Sequence, residues 1–171
     1  MKKKAEIRKK MKLALKMFDS FDKQQQTQAI IAQFLASDLY QQAQTIATFM
    51  PMPFEFDLTR LLSDTTKRLV IPKTLPQRQM IFTDYDENAL FLTPFGVRES
   101  KSDIDVTPDL IIVPGLAWTA DGYRVGYGGG YYDRYLADFT GQTASFVYDF
   151  QLLSTIEKDK FDIPVRHIFK V

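Results

Sequence analysis

Between residues 4 and 18 the apolar positions Ile7, Met11, Ala14, Leu15 and Phe18 recur at helical spacing with basic residues between them, which predicts an amphipathic helix. The stretch 24–39 repeats that period with Ile30, Phe34 and Leu35, and its glutamines fall on the polar side, so a second helix is expected. From Thr45 the period changes. Residues 45–50 (TIATFM) are β-prone and stop at Pro51 and Pro53, which cannot continue a ladder, so they read as a strand running into a loop. A short helix at 58–66, a strand at 68–71 before Pro72, and two shorter strands of antiparallel character at 80–83 and 89–92 follow. Residues 109–113 (DLIIV), ended by Pro114 and Gly115, lack a polar face, as expected of a central strand covered on both sides. Past the turn signal Asp121-Gly122, the glycines of 126–130 open a helical stretch at 131–139, and 144–148 and 165–169 complete the strands. Strands alternating with helices predict an α/β fold with a largely parallel sheet and covered faces.

Composition narrows the chemistry. The length of 171 residues suits one domain spanning 1–171, and 45% apolar with 25% charged residues is the balance of a folded globule. With no cysteine, disulfides, thiolate zinc sites and cysteine nucleophiles are excluded. The single histidine, His167, lies in the apolar stretch 165–171 and is expected to be a structural strand residue, which removes imidazole-rich metal sites and most histidine triads. A formal charge of +1 supplies no global basic field, so nucleic acid is not an expected partner and any anionic ligand must be held by a local cluster. Lys2, Lys3 and Lys4 precede charged, helix-forming sequence and no apolar run reaches membrane-spanning length, so neither a signal peptide nor a membrane partner is expected and the cytoplasm is the default location.

The run 124–133 (RVGYGGGYYD) concentrates the candidate chemistry. Gly126, Gly128, Gly129 and Gly130 permit positive φ and close approach of a ligand, and a helix starting after them would aim free N–H groups at a bound anion. Arg124 would add a forked cation and Asp133 a hard oxygen suited to Mg²⁺. The same glycines equally suit a plain loop-to-helix turn with Tyr131 and Tyr132 packed in the core. Neither a Gly-Lys-Ser/Thr ending nor a dinucleotide fingerprint is present, so residue pattern alone reaches a phosphate loop and no further.

Residues 114–118 (PGLAW) followed by 121–136 (DGYRVGYGGGYYDRYL) resemble the signature of the 5-formyltetrahydrofolate cyclo-ligases, also called methenyltetrahydrofolate synthetases, and the likeness extends over nearly the whole chain. The resemblance implies a Rossmann-like mixed sheet flanked by helices on both faces. It implies ATP contacts from Arg124, Val125, Gly126, Tyr127, Gly128, Gly129, Gly130, Tyr131 and Tyr132, with Arg124 in the catalytic role of neutralising phosphate charge. Lys4 and Arg8 match an N-terminal Lys-x-x-x-Arg that holds ATP, and their i, i+4 spacing puts both cations on one side of the first helix. Folate contacts are implied for Met50, Glu55, Tyr127, Gly128, Gly129, Gly130 and Tyr131, and magnesium contacts for Asp133 and Asp162. Lys73, after Pro72, matches a basic position able to meet phosphate, and Phe95 stands where an aromatic often covers the pterin. Two departures are visible: Arg166 replaces a common acidic residue, and residues 96–100 (GVRES) lack the usual Glu-Pro pair.

The reaction so implied is ATP-dependent closure of 5-formyltetrahydrofolate to its 5,10-methenyl form, with Mg²⁺ as cofactor and the two small molecules as partners of a monomer or weak homodimer. Positioning and charge neutralisation carry such a step, which fits a chain without cysteine and with one histidine. Two alternatives stay open: a non-catalytic nucleotide- or folate-binding module, and an ATP-dependent enzyme acting on another formylated small molecule.

Overall fold

Residues 3–171 are described by the computed structural model. In chain order the elements are α1 (Lys4–Lys16), α2 (Ser20–Ala36), α3 (Asp38–Gln42), β1 (Thr45–Ala47), α4 (Thr59–Leu62), β2 (Arg68–Leu75), β3 (Gln79–Asp84), β4 (Leu90–Leu92) and β5 (Arg98–Ser100). Then come β6 (Leu110–Ile112), β7 (Ala117–Trp118), β8 (Arg124–Val125), α5 (Tyr131–Ala137), β9 (Gln142–Phe146) and β10 (His167–Phe169).

Six strands form one sheet in the order β10-β9-β6-β1-β2-β3; the first five run parallel and β3 returns antiparallel to β2. This is the largely parallel, mixed sheet expected from the sequence. The alternating register divides its two faces. Ile46, Leu69 and Leu110 pair across β1, β2 and β6 and point to the cluster built on α1, α2 and α3. Their successors Ala47, Val70 and Ile111 point to the opposite cluster, which α5 covers through Leu136. Strand β6 is buried at all three positions, as its unbroken apolar run requires. His167 is an exposed strand residue at the start of β10, beside Gln142.

Three local readings change. The helix expected over 24–39 is two helices: α2 starts earlier, capped by the Asp19 carboxylate on Asp22 N (3.0 Å), and ends at Ser37. The Ser37 hydroxyl donates to Phe34 O (2.6 Å) and accepts from Tyr40 N (3.2 Å), so one extended serine closes α2 and caps α3. Strand β2 does not stop at Pro72. Leu69 O accepts from Tyr85 N on the β3 side and Val70 O from Thr48 N on the β1 side, so Pro72 presents its missing N–H toward β1, beyond that strand's end. Strand β5 was not anticipated, because its three residues (RES) carry no apolar alternation. It is held by pairing with β4 and by buried Glu99, which accepts from Thr74 N (3.1 Å) and Thr74 Oγ1 (2.8 Å).

The turn joining β2 to β3 is closed by Gln79 N on Pro76 O, with φ of 62° at Gln77 and 58° at Arg78. Both central residues are left-handed without being glycine, a conformation costing about 1–2 kcal/mol per residue.

At Gly122, φ is 92° and a Cβ would stand 2.2 Å from Val165 O, whose own residue donates N–H to Gly122 O at 3.0 Å. Gly122→Ala is therefore expected to destabilise the fold by about 2–4 kcal/mol, read as a lower urea midpoint at unchanged m-value. An unchanged midpoint would show that the 163–165 segment is not held at this glycine. Among the described residues no helix is long and apolar enough to cross a membrane.

Candidate functional site

The connection after β1 leads toward β2 and the one after β6 leads the other way, to β9, so the strand order reverses between β1 and β6. In open α/β sheets the crevice outside the carboxyl ends of two such strands is where ligands sit. Here β1 delivers Met50 and the loop to Glu55, and β6 delivers Pro114, Gly115 and, through β7 and β8, the glycine loop 126–130.

Basic side chains from separate elements reach that loop. Arg8, on α1, donates Nε to Gly126 O at 2.8 Å, and a Cβ on Gly128 would stand 3.6 Å from its guanidinium carbon. Lys12, one turn further along α1, lies 5.5 Å from the centre of the Tyr127 ring. From the β2–β3 turn, Arg78 Nη1 reaches Gly129 O at 3.4 Å. Gly128 (φ 97°) and Gly130 (φ 74°) hold left-handed conformations, and Gly130 leads directly into the seven residues of α5. Within the signature, Val125 is buried, and Tyr131 and Tyr132 pack against the α5-side cluster. The Tyr132 hydroxyl is buried and has no hydrogen-bond partner among the described residues, and burial raises its pKa above the ordinary phenol value. The loop backbone and the flanking cations are thus the groups open to a ligand.

Arg124 is not a free cation. Only 8% exposed, it donates Nη1 to Ile163 O (2.7 Å) and Nη2 to Asp133 Oδ1 (3.0 Å), while that same oxygen accepts from Ile163 N (3.0 Å). Burial lowers its pKa and the Asp133 carboxylate opposes the shift. The three groups tie β8 and the start of α5 to the C-terminal segment. Lys4 closes a second tie, to Asp162 Oδ2 at 2.7 Å, with Asp159 at 3.6 Å. Because Ile163 follows Asp162, the two ties bring Asp133 and Asp162 to neighbouring positions. Among the described residues Asp133 Oδ2 and Asp162 Oδ1 take no hydrogen bond, so each carboxylate keeps one oxygen free for a hard cation. No three acidic or imidazole groups among the described residues converge on a protein-only metal site.

A cavity of about 710 Å³ opens between α2, the 50–57 loop and the β4–β5 hairpin; Lys23, Met50, Met52, Glu55, Leu92 and Arg98 line it. Glu55 is buried and accepts Met52 N at 2.8 Å. Burial raises the Glu55 carboxyl above the ordinary range, against the Met52 N–H, Tyr127 and Lys23. Burial and the Glu55 charge likewise raise the Tyr127 phenol. Burial lowers the Lys23 ammonium below its ordinary value, with Asp57 and Glu55 opposing.

One position carried by resemblance lies elsewhere. Lys73 is committed to Ser100 O (3.2 Å), Ser102 O (2.9 Å) and Asp103 Oδ1 (2.6 Å), so it pins the end of the hairpin instead of facing the loop. Phe95 sits, 82% exposed, at the tip of the β4–β5 hairpin whose Leu92, Gly96 and Arg98 line the cavity. Sequence reasoning missed Lys12, Lys23, Arg78 and Arg98. Lys12 was findable as the next i+4 step after Lys4 and Arg8; the other three have no local signal.

The fold and site define an α/β protein that carries a glycine loop flanked by cations and, after β1 at the switch point, a cavity lined by apolar, acidic and basic side chains. The profile of the 5-formyltetrahydrofolate cyclo-ligase family matches residues 1–171, and the chain belongs to that family. It is 30% identical to the 5-formyltetrahydrofolate cyclo-ligase of Escherichia coli (strain K12) over 137 residues, which covers 72% of this chain and 75% of that protein. The Mus musculus 5-formyltetrahydrofolate cyclo-ligase is 25% identical over 183 residues, covering 95% of this chain and 90% of its own. Among solved structures, the Aquifex aeolicus 5,10-methenyltetrahydrofolate synthetase aligns with a TM-score of 0.85 and 28% identity, over 97% of this chain and 88% of that one. The Mycoplasma pneumoniae 5,10-methenyltetrahydrofolate synthetase aligns with a TM-score of 0.74 and 26% identity, over 98% of both chains.

Proposed function

We propose that this chain closes 5-formyltetrahydrofolate to 5,10-methenyltetrahydrofolate at the expense of ATP, releasing ADP and phosphate. The observation that carries the reading is the switch point between β1 and β6: β6 leads through β7 and β8 to the glycine loop met by Arg8 and Arg78, and β1 leads to buried Glu55 in the cavity of about 710 Å³. A triphosphate on the loop and a pterin against Glu55 would therefore meet at the carboxyl ends of two neighbouring strands.

In this scheme the loop N–H groups, Arg8 and Lys4 hold the triphosphate, and Glu55 accepts the pterin's amino and ring N–H groups. Met50 and Met52 flank the pterin, and the cations Lys23 and Arg98 line the same cavity. The formyl oxygen attacks the γ-phosphorus and ADP leaves with the bridging oxygen. N10 then adds to the activated carbon and gives up its proton, and the C–O bond to phosphate breaks to leave the methenyl ring. The protein's part is alignment and charge neutralisation. Asp133 and Asp162, each with one oxygen unbonded among the described residues, would hold a Mg²⁺, which would supply positive charge against the developing negative charge of the transfer. Arg124 acts through Asp133 and Ile163, fixing that carboxylate's direction. The whole chain works as one unit, a monomer or weak homodimer in the cytoplasm; the absence of cysteine supports a reducing compartment.

The test is absorbance of the methenyl chromophore when purified protein meets 5-formyltetrahydrofolate, Mg²⁺ and ATP. An ATP-dependent rise is expected. Folded, ATP-binding protein that gives no rise would leave a binding module or a different formylated substrate.

A further inference from the structure

Five basic side chains, Lys4, Arg8, Lys12, Arg78 and Arg124, surround the glycine loop and its C-terminal neighbour, and they are not equivalent. Lys4 is closed by Asp162 and Arg124 by Asp133, whereas among the described residues none of Arg8, Lys12 and Arg78 has a carboxylate within ion-pair distance, and Lys12 lies over the Tyr127 ring. Arg8 is anchored through Nε on Gly126 O. Arg78 comes from a different element, is exposed, and touches the loop only through a long 3.4 Å bond to Gly129 O. The long bond marks a side chain laid against the loop but weakly held there.

Its backbone points the same way. The three-residue connection between paired Leu75 and Gln79 holds two consecutive left-handed residues, Gln77 and Arg78, neither of them glycine. Strain of this kind is sustained where the side chain or its placement has a use. The register of β2 on β3 carries the turn past the end of β1, to the sheet edge where the glycine loop lies.

We propose that Arg78 is a phosphate-binding residue of this site: its guanidinium turns from the Gly129 carbonyl onto the terminal phosphates of the bound nucleoside triphosphate, while Arg8 meets the same polyanion from α1. This rests on the reading of the glycine loop as a triphosphate site. Arg78 thereby supplies the mobile, forked cation that buried Arg124 does not. It contacts only the terminal phosphates, so its contribution depends on how many phosphates the ligand carries.

Equilibrium binding of ATP, ADP and AMP to the full chain, its Arg78→Ala, Arg78→Gly and Arg78→Lys variants, tests this. ATP affinity should fall about 10- to 100-fold in Arg78→Ala and Arg78→Gly, in keeping with loss of charge-assisted bonds, while AMP affinity stays within about twofold. Arg78→Lys should recover part of the loss. Arg78→Gly also relaxes the turn, so its melting temperature should be equal to the parent's or higher, which separates loss of the cation from loss of the fold. ATP affinity unchanged in both truncations, or an equal loss for AMP and for 5-formyltetrahydrofolate, overturns the role of Arg78 alone. A parent protein that binds ATP no tighter than AMP overturns the triphosphate reading of the loop together with it.

Discussion

Arg124→Ala should lower the melting temperature by roughly 5–15 °C and slow turnover in the same variant. The guanidinium lies between Asp133 Oδ1 and Ile163 O, and its removal strands a partly buried carboxylate and a carbonyl at once. Breaking a buried pair from one side costs about 3–5 kcal/mol; Asp133 keeps some contact with water, so about 2–4 kcal/mol is expected here. In a chain of this length each kcal/mol shifts the midpoint by roughly 2–4 °C. Arg124→Lys should recover less than half of the loss, because an ammonium cannot reach the carboxylate and the carbonyl in one fork. Lost turnover with a midpoint within about 2 °C of the parent would refute the clamp and place the guanidinium on the phosphates instead.

Glu55→Gln should weaken 5-formyltetrahydrofolate binding about 10- to 100-fold, since charge-assisted bonds to the pterin N–H groups are lost, while leaving the protein no less stable at neutral pH. The two effects oppose because the carboxyl is buried. Burial raises its pKa in the folded chain, so the native state holds this proton to higher pH than the unfolded chain does. The group's contribution to stability therefore declines as pH rises from the ordinary carboxylate value through the raised one, and is smallest at neutral pH. A glutamine keeps the place beside Met52 N without the charge, so parent and variant melting curves should separate in the variant's favour as pH climbs through that window. In the parent, kcat/KM for the folate should drop on the acid side as Glu55 protonates, and the variant should lack that limb. Folate affinity within about threefold of the parent would remove Glu55 from the pterin site.

The Arg78 experiment bears on the same economy of charge. Lys4 and Arg124 each face an acidic residue expected at the metal site, so a cation binding Asp133 and Asp162 and a polyanion binding the loop would each meet groups now paired with one another. Among the described residues Arg8, Lys12 and Arg78 carry no such commitment, and the two arginines bond the loop backbone directly, which is why their removal should read most directly as lost phosphate affinity.

Much of the architecture follows from local pattern. The apolar run of β6, the β-prone 45–47 segment, the helical stripe of α1 and the glycines ahead of α5 are each dictated by side-chain periodicity or by φ freedom, and those forces act over a few residues. The signature at 114–136 likewise named the family, because loop chemistry is written contiguously. What periodicity cannot encode is which distant groups neutralise one another. That Arg124 is spent on Asp133 and Ile163, that Lys73 pins the hairpin, that three polar residues make β5, and that Arg78 reaches the glycine loop are all outcomes of strand register and of the C-terminal segment folding back across β8. A charge has no periodic signature, and its partner is fixed only when the sheet brings residues tens of positions apart within a few ångströms.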